Sequence, residues 1–150
     1  MSTRCQIGIY ENDTRLNKPE VLLYRHSDGY PDGVLPEMMP FLRWFKKGRG
    51  MDVEYLGARL LQWLCNKYDG YGIANNFSPE IYDAGMTGVL GYGICKELHG
   101  DIEFYYAVYP DKVDVYECGW DASFNDFKLI KTLAIESWLS EEEVEEINSL

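Results

Sequence analysis

The sequence contains few of the features from which a function is usually inferred. It has two histidines and four cysteines among 150 residues, and no cysteines stand in the C-x-x-C spacing typical of zinc knuckles and thioredoxin-like motifs. No run approaches the roughly 20 apolar residues that a membrane helix requires. No apolar segment of the kind found in secretory signals follows Arg4. We therefore expect a cytoplasmic protein without a membrane segment, with buried, reduced cysteines.

Motifs for nucleophilic catalysis and nucleotide binding are missing as well. The sequence has no Gly-x-Ser-x-Gly, and the Gly-Tyr-Gly at 91–93 belongs to neither a G-x-G-x-x-G pattern nor a phosphate-binding loop with a Lys-Ser/Thr pair. Both histidines fall in predicted turns, and no cysteine has a histidine partner evident from the sequence, which argues against a serine or cysteine triad. The sequence thus indicates no cofactor and no catalytic residue.

Charge of one sign dominates the chain. Asp plus Glu number 25 against 14 Lys plus Arg, for a net charge of −11, and residues 101–150 hold 13 of the acidic side chains. Such a field repels nucleic-acid backbones and anionic membranes, so it disfavours direct nucleic-acid binding. One basic cluster is an exception, and we interpret it first as complementing a helix dipole and second as a binding patch. It consists of Arg43, Lys46, Lys47 and Arg49.

What is present is typical of a globular α+β protein. The chain is 46% hydrophobic and 15% aromatic, which excludes disordered and low-complexity classes, and its length suits a single domain over 1–150. Alternating apolar residues predict an antiparallel sheet of five or six strands. These are 5–10 and 21–26, a meander of 90–95, 102–109 and 113–116 with turns at 99–100 and 110–111, and a less regular strand at 127–135.

Helical spacing predicts two central helices packed on one face of this sheet. The first has its apolar face from Leu35 to Phe45, and we expect Gly48 at its C-cap. Asp52 caps the second, whose apolar face runs from Val53 to Tyr68. Trp44 and Trp63 are expected in the core or at its edge. The longest loop spans 71–88, and a short C-terminal helix is expected to start at Ser140.

The segment 26–33 is the most polar and turn-rich part of the chain. Its Asp-Gly-Tyr-Pro-Asp-Gly sequence is typical of two successive tight turns, with the glycines at positive φ. Alternatively, this segment supplies some of the ligands of a divalent-metal site. The turn around His99 would supply the others if the two turns meet, as in a metal-dependent phosphoesterase. The candidate polar site consists of Arg25, His26, Asp28, Asp32, His99 and Asp101.

Tyrosine is abundant, with 12 copies, and several alternate with acids on the predicted strands. Tyrosine-rich surfaces are typical of protein interfaces, since a large amphipathic ring buries area at low entropic cost. We expect an acidic surface that binds a partner protein with a basic surface. Its residues are Glu103, Tyr105, Asp114, Tyr116 and Glu117.

The segment Tyr-Arg-His-Ser-Asp-Gly-Tyr-Pro at 24–31, followed by an apolar helix and by His-Gly-Asp-Ile-Glu-Phe-Tyr-Tyr at 99–106, resembles a group of small uncharacterised bacterial, archaeal and phage proteins. The resemblance runs from about Arg4 to Tyr116. It implies a prokaryotic or viral cytoplasmic setting and transfers no catalytic residue. Two functions follow as hypotheses: a binding protein, acting as a regulator or inhibitor associated with a phage or mobile element, or the metal-dependent phosphoesterase.

Overall fold

The computed structural model describes residues 3–13, 16–67, 91–119 and 123–136. In these ranges six strands form one sheet. They are β1 (Cys5–Ile9), β2 (Val21–Arg25), β3 (Tyr92–Ile94), β4 (Phe104–Val108), β5 (Lys112–Glu117) and β6 (Lys128–Ala134). Two helices, α1 (Pro31–Arg49) and α2 (Val53–Lys67), follow β2 in the chain. The predicted α+β class with one sheet and two helices is therefore confirmed.

The sheet is mixed, so the prediction of a purely antiparallel sheet is wrong. Its strand order is β3-β2-β1-β4-β5-β6, and β1 pairs antiparallel with β2 but parallel with β4, with Ile7 facing both Leu23 and Tyr106. The predicted meander of β3, β4 and β5 fails because β3 pairs with β2 instead. Residues 95–103 therefore form a crossover from β3 to β4, and a crossover delivers its two strands in the same direction.

Helix α1 begins one turn earlier than its apolar spacing predicts. Pro31 occupies the first turn, where its missing N–H costs nothing. Pro36 and Pro40 lie inside the helix on its exposed side, where carbonyls that lose a backbone donor can bind water. The helix ends at Gly50 with φ 80° rather than at the predicted Gly48.

Both helices bury their apolar faces against one side of the sheet. Met38 and Leu42 of α1 and Leu60 of α2 are fully buried in one cluster with Ile7 of β1. Leucines that recur every four residues along α2 place one stripe of that helix in this core. Asp52 caps α2 as predicted, since its Oδ1 accepts a hydrogen bond from the backbone N–H of Glu54 at 3.1 Å. The predictions for Tyr68, for the loop 71–88 and for a helix from Ser140 lie outside the described residues.

The side of the sheet away from the helices carries a second core. Tyr10, Leu22, Tyr105 and Tyr109 are buried there. They are covered by the β1–β2 loop, by the crossover and by residues 118–119 and 123–127, with Leu16, Leu98, Phe124 and Phe127 in contact. Both faces of the central strands are therefore buried, and β1 has no exposed residue.

The segment 26–33 is held in place by hydrogen bonds to the chain before β1 and to β4. The backbone N–H of Gly29 donates to the Thr3 carbonyl at 2.9 Å, and the Tyr106 hydroxyl donates to the Gly29 carbonyl at 2.6 Å. The positive φ lies at Asp28, at 56°, and not at the two glycines as predicted. Gly29 is required for a different reason: an added Cβ would lie 2.8 Å from the Cβ of Cys5 and 2.9 Å from the Thr3 carbonyl oxygen.

Candidate functional site

Two of the five residues predicted to bind a partner do not face the solvent. The Tyr105 side chain is 0% exposed, and its hydroxyl lies 2.7 Å from that of Tyr10 inside the second core. Asp114 is buried beside Thr132, whose hydroxyl donates to its Oδ1 at 2.7 Å. The predicted surface loses these two groups because the sheet face that carries them is covered.

The other three residues leave a smaller acidic surface at one end of β4 and β5. Glu103 and Glu117 are exposed, and their chain segments adjoin, since the N–H of Cys118 donates to the Glu103 carbonyl at 3.0 Å. Tyr116 is half-buried and packs against Phe127 with ring centroids 6.2 Å apart. We call Glu103, Tyr116 and Glu117 the acidic edge.

Arg25 of the predicted polar site is a structural residue. It is 1% exposed, and its Nε donates to the Ser27 carbonyl at 2.7 Å. Its Nη1 donates to Glu37 Oε2 and to the Tyr92 hydroxyl, both at 2.9 Å. One guanidinium therefore ties β2 to α1, to β3 and to the turn that follows β2.

The residues proposed as metal ligands do not converge. Within the described ranges, no three His, Cys, Asp or Glu side chains are grouped so that they could hold a metal ion. Asp28 accepts a hydrogen bond from the Tyr30 hydroxyl at 3.1 Å, and Asp32 is exposed in the first turn of α1, where its charge complements the helix dipole. The geometry therefore favours the structural interpretation of the 26–33 segment.

Tyr24 stands between the two histidines. Its hydroxyl lies 3.0 Å from His26 Nδ1, and its ring stacks on the His99 ring with centroids 4.5 Å apart. The two predicted turns thus meet around a phenol, which separates the imidazoles. His99 therefore does not lie beside His26, as the metal hypothesis required, and it has other neighbours.

Those neighbours include a cysteine. Cys95 Sγ lies 3.5 Å from His99 Nε2, and the other ring nitrogen of His99, Nδ1, lies 4.0 Å from Asp101 Oδ1. No histidine partner for a cysteine is evident from the sequence, but the structure brings His99 to Cys95. The signal in the sequence is Cys-x-x-x-His-x-Asp at 95–101, which becomes a cluster because the crossover bends back on itself. We call Cys95, His99 and Asp101 the thiol cluster.

The thiol cluster is held on β1 by a buried amide. Gln6 is 0% exposed; its Nε2 donates to the Glu97 carbonyl at 3.2 Å, and its Oε1 accepts from the His99 N–H at 2.9 Å. A shallow, open depression lies here, lined by Tyr24 and by residues 93–99. Burial raises the pKa of the Cys95 thiol, partly offset by a hydrogen bond to the Gln6 side chain, so the sulfur is protonated at neutral pH.

The other cysteines differ in surroundings. All four are free thiols. Burial raises the pKa of Cys5 to about 12, and it does the same for Cys118. The prediction of a buried thiol is confirmed for Cys5, whereas Cys65, Cys95 and Cys118 are only partly buried.

A second concave feature lies between the exposed sides of α1 and α2. This aromatic groove has a volume of about 910 Å³, and its floor is built from Phe41, Phe45 and Trp63. Phe41 and Trp63 stack with ring centroids 5.6 Å apart, and Trp63 Nε1 donates to the Glu37 carbonyl at 2.8 Å. Trp63 therefore lies at the core edge as predicted. Trp44 does not, since it lines the groove and is 71% exposed.

The rim of the aromatic groove is basic. Arg49 and Arg59 line it together with the amides of Gln62 and Asn66, and no described lining residue carries a carboxylate. Two other members of the predicted basic cluster lie elsewhere. Arg43 is buried, and its Nε donates to the Ile135 carbonyl at 2.7 Å. Lys46 forms an ion pair with Glu136 at 3.2 Å. A continuous basic patch is therefore not formed.

Comparisons with protein-family models, with curated proteins and with solved structures give no match. The resemblance through the 24–31 segment accordingly stays a prediction. Neither described helix is long and apolar enough to span a membrane. The aromatic groove, the acidic edge and the thiol cluster are the features of the described residues that could serve a function.

Proposed function

We propose that this chain is a binding protein that contacts a partner protein through the aromatic groove. The observation that carries the proposal is the exposed indole of Trp44 at the edge of a groove of about 910 Å³. Large exposed apolar surfaces are rare on monomeric proteins and mark contact sites. Tryptophan and arginine, which both line this groove, are the residues most enriched at the energetic centres of interfaces.

The groove fits an amphipathic helical segment that combines apolar and acidic side chains. Two neighbouring helices form its walls, which is the geometry by which helix-binding proteins accept an apolar helix face. Arg49 and Arg59 would pair with carboxylates on the flank of that segment. In a chain of net charge −11, a rim with two cations and no described carboxylate favours an acidic ligand at this place.

Selection from a displayed peptide library tests this proposal. We expect the wild-type protein to enrich peptides with apolar residues at helical spacing and with flanking Asp or Glu. Trp44→Ala should weaken the binding of these peptides, raising their Kd about 30-fold. This factor corresponds to the roughly 2 kcal/mol typical of a hot spot. Leu129→Ala is the matched control, since Leu129 is 50% exposed on β6, outside the groove.

The experiment distinguishes a loss of contact from a loss of folding. Because Trp44 is mostly exposed, Trp44→Ala should leave the thermal unfolding temperature nearly unchanged, so a loss of binding reports on contact. Enriched peptides that bind Trp44→Ala and the wild type equally would show that the groove is not the contact surface. Basic peptides among the enriched set would overturn the assigned charge of the ligand.

The acidic edge is a second candidate surface, and it would bind a partner with a basic surface. The observation in its favour is that Glu103 and Glu117 are exposed on adjoining segments next to the half-buried ring of Tyr116. A complex formed there should weaken steeply between low salt and about 0.5 M salt. Glu103→Lys with Glu117→Lys should abolish that complex while leaving the peptides selected by the groove unaffected.

A cytoplasmic location and a role as a regulator or inhibitor of the bound protein complete the proposal. The metal-dependent phosphoesterase gains no support from the described residues, because no three potential ligands among them are grouped to hold a metal ion and the Tyr24 side chain lies between His26 and His99.

A further inference from the structure

We propose that the thiol cluster is a catalytic site for acyl transfer, with Cys95 as the nucleophile and His99 as its general base. The inference is independent of the binding function, since the cluster lies on the crossover and the aromatic groove lies between the helices. Two contacts resemble those of thiol catalysis: the sulfur lies within hydrogen-bond distance of one imidazole nitrogen, and a carboxylate lies near the other at a separation longer than a hydrogen bond. The distances are 3.5 Å for Sγ to Nε2 and 4.0 Å for Nδ1 to Oδ1.

The imidazole is held in place from two sides. The Tyr24 ring stacks on it, and the buried Gln6 amide fixes the backbone of the same bend through hydrogen bonds to residues 97 and 99. A catalytic group is effective only if its supporting contacts fix its orientation. Gln6 and Tyr24 are positioning residues in this scheme.

Asp101 supplies the charge that the reaction needs. When His99 accepts the thiol proton it becomes an imidazolium, and the carboxylate near Nδ1 stabilises that cation. Asp101 is itself oriented by Arg4, whose Nε lies 3.5 Å from Oδ2. Since the Cys95 thiol is protonated at neutral pH, its attack depends on the neighbouring imidazole, as a serine hydroxyl does in a hydrolase.

The chemical step balances with water as the only co-reactant. Sγ attacks the carbonyl carbon of an ester or thioester, and its proton moves to Nε2 of His99. The bond from the carbonyl carbon to the leaving oxygen or sulfur breaks, and the leaving group takes the proton from Nε2. Water then attacks the Cys95 thioester, passes a proton through Nε2 back to Sγ, and releases a carboxylic acid.

The surroundings indicate an apolar acyl group. The shallow depression beside Cys95 is lined by Ile94, which is 75% exposed, by Leu98 and by the Tyr24 ring. Such side chains bind an alkyl or aryl chain, whereas Lys96 and Glu97 are available to contact a polar leaving group at the same opening.

Hydrolysis of p-nitrophenyl acetate tests the site. We expect release of p-nitrophenolate with an acetyl group trapped on Cys95, detectable by mass spectrometry of the quenched protein. Cys95→Ala should abolish trapping at this position, and Cys65→Ala is the matched control because burial alone raises the pKa of that half-buried thiol. His99→Gln should slow acetylation at neutral pH by about 10²-fold, the lower end of what general-base catalysis contributes.

A second measurement keeps the proposal falsifiable if ester turnover is slow. Iodoacetamide should alkylate Cys95 faster than Cys65 at neutral pH, and His99→Gln should remove this advantage while alkylation recovers at alkaline pH, where the thiol ionises without a base. Alkylation of Cys95 no faster than that of Cys65, with no effect of His99→Gln in a variant that melts like the wild type, would overturn the assignment. Acetylation confined to other residues would do the same.

Discussion

Gly8, in the middle of β1, should not tolerate even a methyl group. A Cβ at this position would overlap the Tyr105 hydroxyl and lie 2.7 Å from Cζ of the same ring and 3.1 Å from Cβ of Pro19. Ordinary carbon contacts are about 3.5 to 4.0 Å. The Tyr105 ring is fully buried and packs against Phe127 with centroids 5.2 Å apart, so it has no free space into which it can move.

The expected cost of Gly8→Ala has two parts. Overpacking of a filled core costs about 1–3 kcal/mol. Displacing the Tyr105 hydroxyl also breaks its hydrogen bond to Tyr10, and a buried polar group left without its partner costs a further 1–3 kcal/mol or so. We expect a decrease of about 2–6 kcal/mol in the free energy of unfolding, a large fraction of the roughly 5–15 kcal/mol typical of a domain.

Urea denaturation followed by circular dichroism measures this change, and a second substitution tests its cause. In the Tyr105→Phe background the atom closest to the new methyl group is absent, so Gly8→Ala should cost at least 1 kcal/mol less than in the wild type. Gly48→Ala is the control, since its Cβ meets nothing within 4 Å and a helical alanine is preferred by up to about 1 kcal/mol. If Gly8→Ala costs the same with and without the Tyr105 hydroxyl, the assigned overlap is wrong.

Two further predictions concern the buried polar groups. Burial raises the pKa of Tyr105 and Tyr106 well above 10 and that of Cys5 and Cys118 to about 12, so the native state keeps protons that the unfolded chain loses. Stability should begin to fall above about pH 8.5, where thiols of the unfolded chain ionise, and fall more steeply above about pH 10, by up to about 1.4 kcal/mol per pH unit for each of these groups. Unfolding midpoints between pH 8 and 11 check this, and a flat profile would contradict it. Glu37→Gln removes the anionic partner of buried Arg25, and in thermal or urea melts it should cost about 1–3 kcal/mol, less than a fully buried pair because Glu37 is partly exposed.

The local parts of the fold could be predicted from the sequence because their signals are local. The cap at Asp52 depends on residues two positions apart, and the β1–β2 hairpin pairs strands that follow each other directly in the chain; both are confirmed. The strand order could not be predicted in this way. Alternation in β3 and β4 identifies strands but does not specify which strand each one pairs with. β3 pairs with β2, although two helices lie between these strands in the sequence.

The same distinction explains the candidate sites. Tyr105 and Asp114 alternate as surface residues would, but whether the second face of a sheet meets solvent depends on segments far away in sequence, such as that of Phe124 and Phe127. Cys95 and His99 are only four residues apart, yet their contact depends on Gln6, which is 93 positions from His99 and fixes the bend. A pattern of residue types cannot show a bend that a distant strand imposes.

The parallel pairing of β1 with β4 also determines the order in which the molecule can be assembled. The β4–β5 hairpin needs only short-range contacts, whereas Cys5 and Phe104 must meet across most of the described chain. Closing so long a loop costs conformational entropy before any contact compensates it, so this pairing forms late in folding. The crossover is held by Gln6 of β1 and by Tyr24 of β2, so Cys95 acquires its imidazole neighbour once β1, β2 and β3 have come together, whether or not β4 has yet joined β1. The reactivity of one thiol would then report on the assembly of that half of the sheet.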